Sequence, residues 1–340
     1  MFGHNRNGLV MLTIHFTSTD LMRTRLASAP DPMWELTLSL HQLRSPGPQI
    51  FQEWRRATFA RLQAGGAMES LQMLLELVPP TGYFPDFLTP AQSEQGFEAG
   101  VDAILSTPID RLRADMTILG ARRNLPAWSQ QLADGKPEML NRLAEALRVY
   151  HAAAIAPYLT QIRASVHIDR SRRARSLTTG GYEEMLAGMR PTLRWADSAI
   201  EADYPRRMVC ELEGRGLVMV PSFFCWGKPI ALKDTTLPPV LVFPIEGDAR
   251  YLALGTALRE SATSRSLAAL LGRTRAAVLE TIADGCTTTE IARRLDVSLA
   301  TASEHAAVLR HAGLVVSVRD GNTMLHALTP VATSLLGSAD

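Results

Sequence analysis

Residues 296–315 read DVSLATASEHAAVLRHAGLV, and few folds accommodate them. A serine ahead of an apolar-periodic run is a helix N-cap, and Ala-Gly-Leu at its end is a helix stop. With Ala302 set toward a core, steps of 100° bring Ala306, Leu309 and Gly313 to the same face. Ala300, Ser303, Glu304 and Ala307 then point away. An ordinary surface helix would carry Lys/Glu pairs there. This one carries small or polar side chains and no lysine. That surface suits an element that must enter a groove about 12 Å wide, where backbone and base edges approach closely.

The flanking segments fit the same reading. RTRAAVLETIADG is a helix that turns Ala277, Val278 and Ile282 inward and stops at Gly285. TTTEIARRLDV opens on capping threonines and buries Ile291 and Leu295. LVVSVRDGNTMLHALT is two alternating strands about Asp320-Gly321-Asn322, a strong hairpin signal. A last short helix starts at Pro330. Helix, helix, turn, helix, hairpin is the order of a winged helix-turn-helix.

The run TTTEIARRLDVSLATASEHAAVLRHAGLVVSVRDGNTMLHALT resembles the DNA-binding domain of ArsR-type winged-helix repressors. The likeness rests on Ser298, Thr301, Ser303, Leu309 and Ala312–Val315. It implies a homodimeric repressor on a palindromic operator in double-stranded DNA. Ser303 and Glu304 are expected at base edges, Glu304 accepting from cytosine N4, with a solvated glutamate as the plainer reading. Leu299 and Ala300 share the exposed first turn. Ser298 either caps the helix or touches phosphate. Arg275, Arg294 and Arg310 are candidates for the phosphate backbone. Arg319 and Asn322 would enter the minor groove or touch phosphate from the wing, although the turn alone also explains Asn322. His305 reads as a partly buried packing residue.

Two features depart from that family. Many ArsR-type repressors hold metal through Cys-x-Cys before the turn or through Asp/His pairs on the last helix. Here the first place offers only Cys286, in DGCTTTE, and the last helix, PVATSLLG, has no metal-type ligand. A lone cysteine at a helix start reads as a small packed residue, so neither metal nor cofactor is expected. Residues 264–340 also hold seven arginines against seven acidic residues and no lysine. DNA binding would therefore need its cations gathered on one face.

Residues 11–255 far exceed what DNA binding needs. From 31 to about 190 the pattern is helical. The longest stretch places Leu140, Leu143, Leu147, Tyr150, Ala154, Tyr158, Ile162 and Val166 on one face, with a break expected at Pro157. Its tail, RSRRARS, reads as a solvated face, with a phosphate contact as the alternative. Between 192 and 255, strands alternate with Gly and Pro turns. LTIHFTSTDLMRTRLA, DPMWELTLSLHQL, GYFPDFLTP, LPAWSQQLADG and VPSFFCWGKPI resemble a domain that precedes such winged helices in actinobacterial regulators. This likeness implies architecture and no particular effector.

The fold class expected is α+β and mainly α-helical. A frayed extension (1–10, the start being Met1 or Met11) leads into a large helical domain with a small antiparallel sheet (11–255). A C-terminal winged helix-turn-helix (256–340) follows. The first domain is expected to sense a small apolar or aromatic effector and to dimerise, with Trp128, Tyr150, Tyr158, Phe224 and Trp226 as pocket candidates. An enzyme or protein-docking domain fused to a DNA-binding tail is the alternative. The absence of Gly-x-Ser-x-Gly, phosphate-loop, Gly-x-Gly-x-x-Gly and His-Glu-x-x-His patterns argues against the enzyme. Three scattered cysteines and no long apolar run predict a cytoplasmic protein without a membrane span.

Overall fold

A computed structural model describes residues 11–44, 48–121, 123–205, 207–234, 236–246, 267, 270–282, 285–295, 297–320 and 323–337. The expected N-terminal extension, 1–10, lies outside them, as do Asn322 and most of ATSRSLAALLG. The chain divides into two compact units, Met1–Ala253 and Leu254–Asp340. Among the described residues no helix is long and apolar enough to cross a membrane.

The first unit opens with β1 (Met11–His15), α1 (Ser18–Arg23) and β2 (Arg25–Leu26). Helices follow: α2 (Pro32–Leu43), α3 (Gln52–Ala64), α4 (Met68–Leu77), α5 (Phe97–Leu105), α6 (Ile109–Gly120), α7 (Trp128–Ala133), α8 (Pro137–Ala154) and α9 (Leu159–Ala187). Asp31 starts α2 by accepting from the backbone N–H groups of Met33 and Trp34, with Pro32 in the first turn. Helix α8 is the hub, packed by α2, α3, α4, α5 and α7. Its predicted face is buried from Leu140 to Ala154 and continues into α9 at Ile162 and Val166. The break at Pro157 is present. Trp54 Nε1 donates to the freed carbonyl of Ala154 at 2.8 Å, so the helix end is satisfied inside the core.

The strands depart from expectation. In place of one small antiparallel sheet, the described residues of the first unit form two four-stranded mixed sheets. With β3 (Arg194–Ala196), β4 (Ala199–Asp203) and β5 (Met208–Glu211), β1 forms the order β3-β4-β1-β5. It is antiparallel to β4 and parallel to β5. The second sheet joins β2 to β6 (Val218–Ser222), β7 (Ile230–Ala231) and β8 (Val240–Pro244) in the order β2-β6-β8-β7, with β2, β6 and β8 parallel. Gly and Pro turns suggest hairpins. Here segments from the chain start insert between and beside the late strands, a pairing that no local signal carries.

One close approach fixes the second sheet. A Cβ at Gly216, whose φ is +74°, would lie 2.7 Å from the backbone of Arg23, so only glycine fits. Its N–H donates to Asp20 at 2.9 Å. Buried Glu35, on α2, accepts from Ser222 Oγ and from the backbone N–H groups of Phe223 and Phe224. That carboxylate ties the helical layer to the end of β6.

The second unit contains α10 (Arg273–Thr281), β9 (Cys286–Thr287), α11 (Thr288–Leu295), α12 (Leu299–His311), β10 (Val315–Asp320), β11 (Thr323–Leu328) and α13 (Pro330–Gly337). The strands form an antiparallel sheet, β10-β11-β9. Val278, Leu279, Ile282, Ile291, Ala302 and Leu309 share its core. On α10 the buried alanine is Ala276, while Ala277 is only half-buried.

Candidate DNA-reading surface and a cavity in the first unit

Local chemistry positions α12. Ser298 caps it, accepting from Thr301 N–H at 3.1 Å. Thr287 and Glu290 form a reciprocal cap on α11, with Glu290 N–H donating to Thr287 Oγ1 and Thr287 N–H to the Glu290 carboxylate. Gly313, at φ +72°, ends α12 in the left-handed conformation that a residue with a Cβ resists. Ala302, Ala306 and Leu309 are at most 1% exposed, while Ala300, Ser303 and Glu304 are exposed. The inward and outward faces are therefore those read from periodicity, apart from half-buried Ala307 and from Gly313, which was read as inward but lies exposed beyond the helix end.

Leu299 stands out at the start of α12 with 57% exposure, a large apolar side chain beside the exposed Ser298 and Ala300. Arg275, Arg294, Arg310 and Arg319 are exposed. His305 is half-buried, on the flank of α12. Arg319 stands on β10 opposite Met324, one residue before the end of the strand. Cys286 is buried, and its Sγ donates to the Thr281 carbonyl at 3.5 Å. Among the described residues no group of three or more His, Cys, Asp or Glu side chains is placed to hold a metal ion.

His326, unremarked in the sequence reading, pins the wing to the helices. It is 4% exposed on β11, with one ring nitrogen 2.9 Å from Thr288 Oγ1 at the head of α11 and the other 2.8 Å from Ser317 Oγ on β10. Burial first, and then the Arg310 charge, pushes its pKa below the ordinary 6.5. Its signal was weak: a single histidine in an alternating strand.

The five pocket candidates of the first unit do not gather round one cavity. Tyr150 is fully buried and hydrogen-bonded to Ser39. Phe224 packs in an aromatic cluster with Phe51 and Trp54. Tyr158 lies under the Arg61 guanidinium. Trp128 is half-buried at the start of α7, and Trp226 is 44% exposed. Large aromatics fill space, so they close the core where they meet.

A cavity of about 500 Å³ lies elsewhere, over the β2-β6-β8 face and between α2 and the start of α6. Its apolar wall includes Trp34, Phe87, Val218, Val220 and Val240, with Ala27, Ala29, Pro30, Pro90 and Pro238. Its polar wall includes Arg25, Asp31, Asp86, Glu94 and Arg111. Arg25 and Glu94 form a two-point ion pair at 2.5 and 2.6 Å. Asp86 is 5% exposed, and its Oδ2 accepts from the N–H groups of Lys233 and Asp234 at 3.1 and 2.8 Å. Burial, reinforced by the neighbouring Asp115 carboxylate, outweighs those bonds and pushes its pKa up to about 6. The segments GYFPDFLTP and DPMWELTLSLHQL carry Asp86, Phe87, Asp31 and Trp34, and no local pattern in either distinguishes a wall residue.

The arginine run also divides. Arg173 is buried in an ion pair with Asp169 at 2.6 and 2.9 Å, its guanidinium 5.0 Å from the Phe243 ring centre. Arg172 pairs with Glu246. Arg173 is thus a core residue, which the solvated-face reading missed, whereas Arg172 and Arg175 are exposed as that reading has them.

A family model described as a helix-turn-helix domain matches residues 259–318. This span includes α10, α11, α12 and most of β10. No curated protein and no solved structure matches the chain. The helix-turn-helix supports DNA as a partner and transcription regulation as the setting.

Proposed function

We propose that the protein is a sequence-specific, homodimeric transcriptional repressor of the ArsR type whose first unit senses a small-molecule effector. The observation that carries the DNA part is α12: a capped helix with a tightly packed Ala302/Ala306/Leu309 face and an outward face of small and polar side chains. In this reading α12 enters the major groove. Ser303 and Glu304 meet base edges, and Leu299 and Ala300 rest near thymine methyl groups. Ser298 adds a phosphate contact to its capping role. Arg275, Arg294 and Arg310 meet the phosphate backbone, and Arg319 and Asn322 act from the wing. The exposed face of Val316, Val318 and Leu325 on the wing offers further apolar surface.

The first unit is proposed as the sensor because it encloses a cavity within the roughly 300–1,000 Å³ typical of small-molecule sites. An effector would change DNA affinity through differential binding to two arrangements of the dimer. Metal is not proposed as that effector, because Cys286 packs in the core of the second unit. The test is selection of DNA from a random pool by the full-length chain. It should enrich an inverted repeat with half-sites about one helical turn apart. Enrichment of no motif would overturn sequence-specific reading. A single unrepeated half-site would overturn the dimer.

A further inference from the structure

The charges around the cavity nearly cancel, and the residue is informative. Arg25 is spent on Glu94. Arg111 lies 3.8 Å from Asp234 and also acts on the Asp115 carboxyl. Asp31 is answered by Ser93 Oγ and by the first N–H groups of α2, where the helix dipole favours an anion. Asp115 accepts from the Tyr83 hydroxyl and from Phe87 N–H. Asp86, buried in the wall at 5% exposure, has no cation paired to it among the described residues. Its Oδ2 is engaged by two backbone N–H groups, and its Oδ1 has no hydrogen-bond partner among the described residues. The lining of the same cavity also carries two aromatic side chains, Trp34 and Phe87, on a mostly apolar wall.

An isolated carboxylate in an apolar enclosure is costly to maintain, and an opposite charge removes the cost. Aromatic faces attract cations as well, more strongly when water is excluded. We propose that this cavity binds an apolar organic monocation, its protonated or quaternary nitrogen against Asp86 and its hydrocarbon body against Trp34, Phe87 and the valines of β6 and β8. The mostly apolar wall excludes small, strongly hydrated amines. The assignment of a ligand class stands on the cavity itself. That the ligand acts as effector rests on the regulatory reading above.

Three probes of matched shape separate charge from hydrophobicity: 4-(biphenyl-4-yl)butylammonium, the corresponding alcohol and the corresponding carboxylate. Titration calorimetry on the full-length protein at pH 7.5 should rank them cation, alcohol, carboxylate. The cation should bind at least tenfold tighter than the alcohol. In Asp86→Asn, with folding verified by tryptophan fluorescence, the cation's advantage should vanish while the alcohol still binds. Equal affinities, a preference for the carboxylate, or no binding by any probe would overturn the assignment, and the wild-type series decides this even if the variant does not fold. The cation is then added to the protein on its selected DNA. A change in DNA affinity supports the effector role. Tight binding without such a change overturns that role and leaves the cavity assignment standing.

Discussion

Replacing Asp86 with Asn should make the first unit more stable at neutral pH. The Asp86 carboxyl ordinarily titrates at 3.8 and is raised to about 6 in the folded chain. The folded state thus holds a proton that the unfolded state has released, so stability falls as pH rises from 3.8 through 6 and is flat above. At roughly 1.4 kcal/mol for each tenfold change in proton affinity, the full cost at pH 7 is about 3 kcal/mol. Asparagine keeps an oxygen for the Lys233 and Asp234 N–H groups and carries no charge. Asp86→Asn should therefore gain about 1–3 kcal/mol at pH 7 and only about 1 kcal/mol at pH 4.5, where the wild-type group is mostly protonated when folded.

The groups around it are Tyr83, Asp115, Lys233, Asp234 and Arg111. They are common to both proteins and largely cancel in the difference. The assay is urea unfolding followed by tryptophan fluorescence. All five tryptophans, at 34, 54, 128, 195 and 226, lie in the first unit, so the signal reports that unit alone. Destabilisation by more than about 1 kcal/mol at pH 7, or the same difference at both pH values, would refute the argument. Asp86 would then be an anchor for the 233–234 loop, and its charge would cost the fold little.

Three further outcomes follow from the second unit. Ser303→Ala with Glu304→Ala should weaken binding to the selected DNA by about 1–3 kcal/mol per lost base contact in fluorescence anisotropy, with thermal stability unchanged because both side chains are exposed. Arg319→Ala should weaken binding to selected and random DNA alike and flatten the slope of log affinity against log salt by about 0.9; loss confined to the selected sequence would disprove a backbone role. The His326 ring, followed by NMR, should titrate below 6.5, and Arg310→Ala should raise that value. An ordinary titration insensitive to Arg310 would show that the ring is not held between Thr288 and Ser317.

The second unit was the more legible because its determinants are local. Ser298, the alanines facing inward on α12 and the left-handed Gly313 each act within a few residues, and periodicity reports them. The first unit depends on remote pairing. The parallel partnership of β1 with β5 joins Leu12 to Met208, and no spacing rule relates them. The lining of the 500 Å³ cavity was not legible, for a reason that generalises. Of the aromatic side chains, Trp34 and Phe87 line it while Tyr150 and Phe224 pack in the core, and no sequence pattern separates the two groups. The cavity persists where side chains are short, at Ala27 and Ala29, and where the backbone is held by Pro30, Pro90 and Pro238. Asp86 in particular reads as an ordinary turn residue until the Lys233–Asp234 segment is seen to close over it.

Strand β8 has a mechanical consequence. It lies between β6 and β7, so neighbours bond it on both sides. Val240, at its head, lines the cavity. Beyond its tail, Glu246 is riveted to α9 by its own N–H on Asp169 and by its carboxylate on Arg172. Such a strand is a strut. It cannot slide by one residue without turning its inner side chains outward, so the pairing on both sides and the contacts of Glu246 hold Val240 at a fixed register beside the cavity.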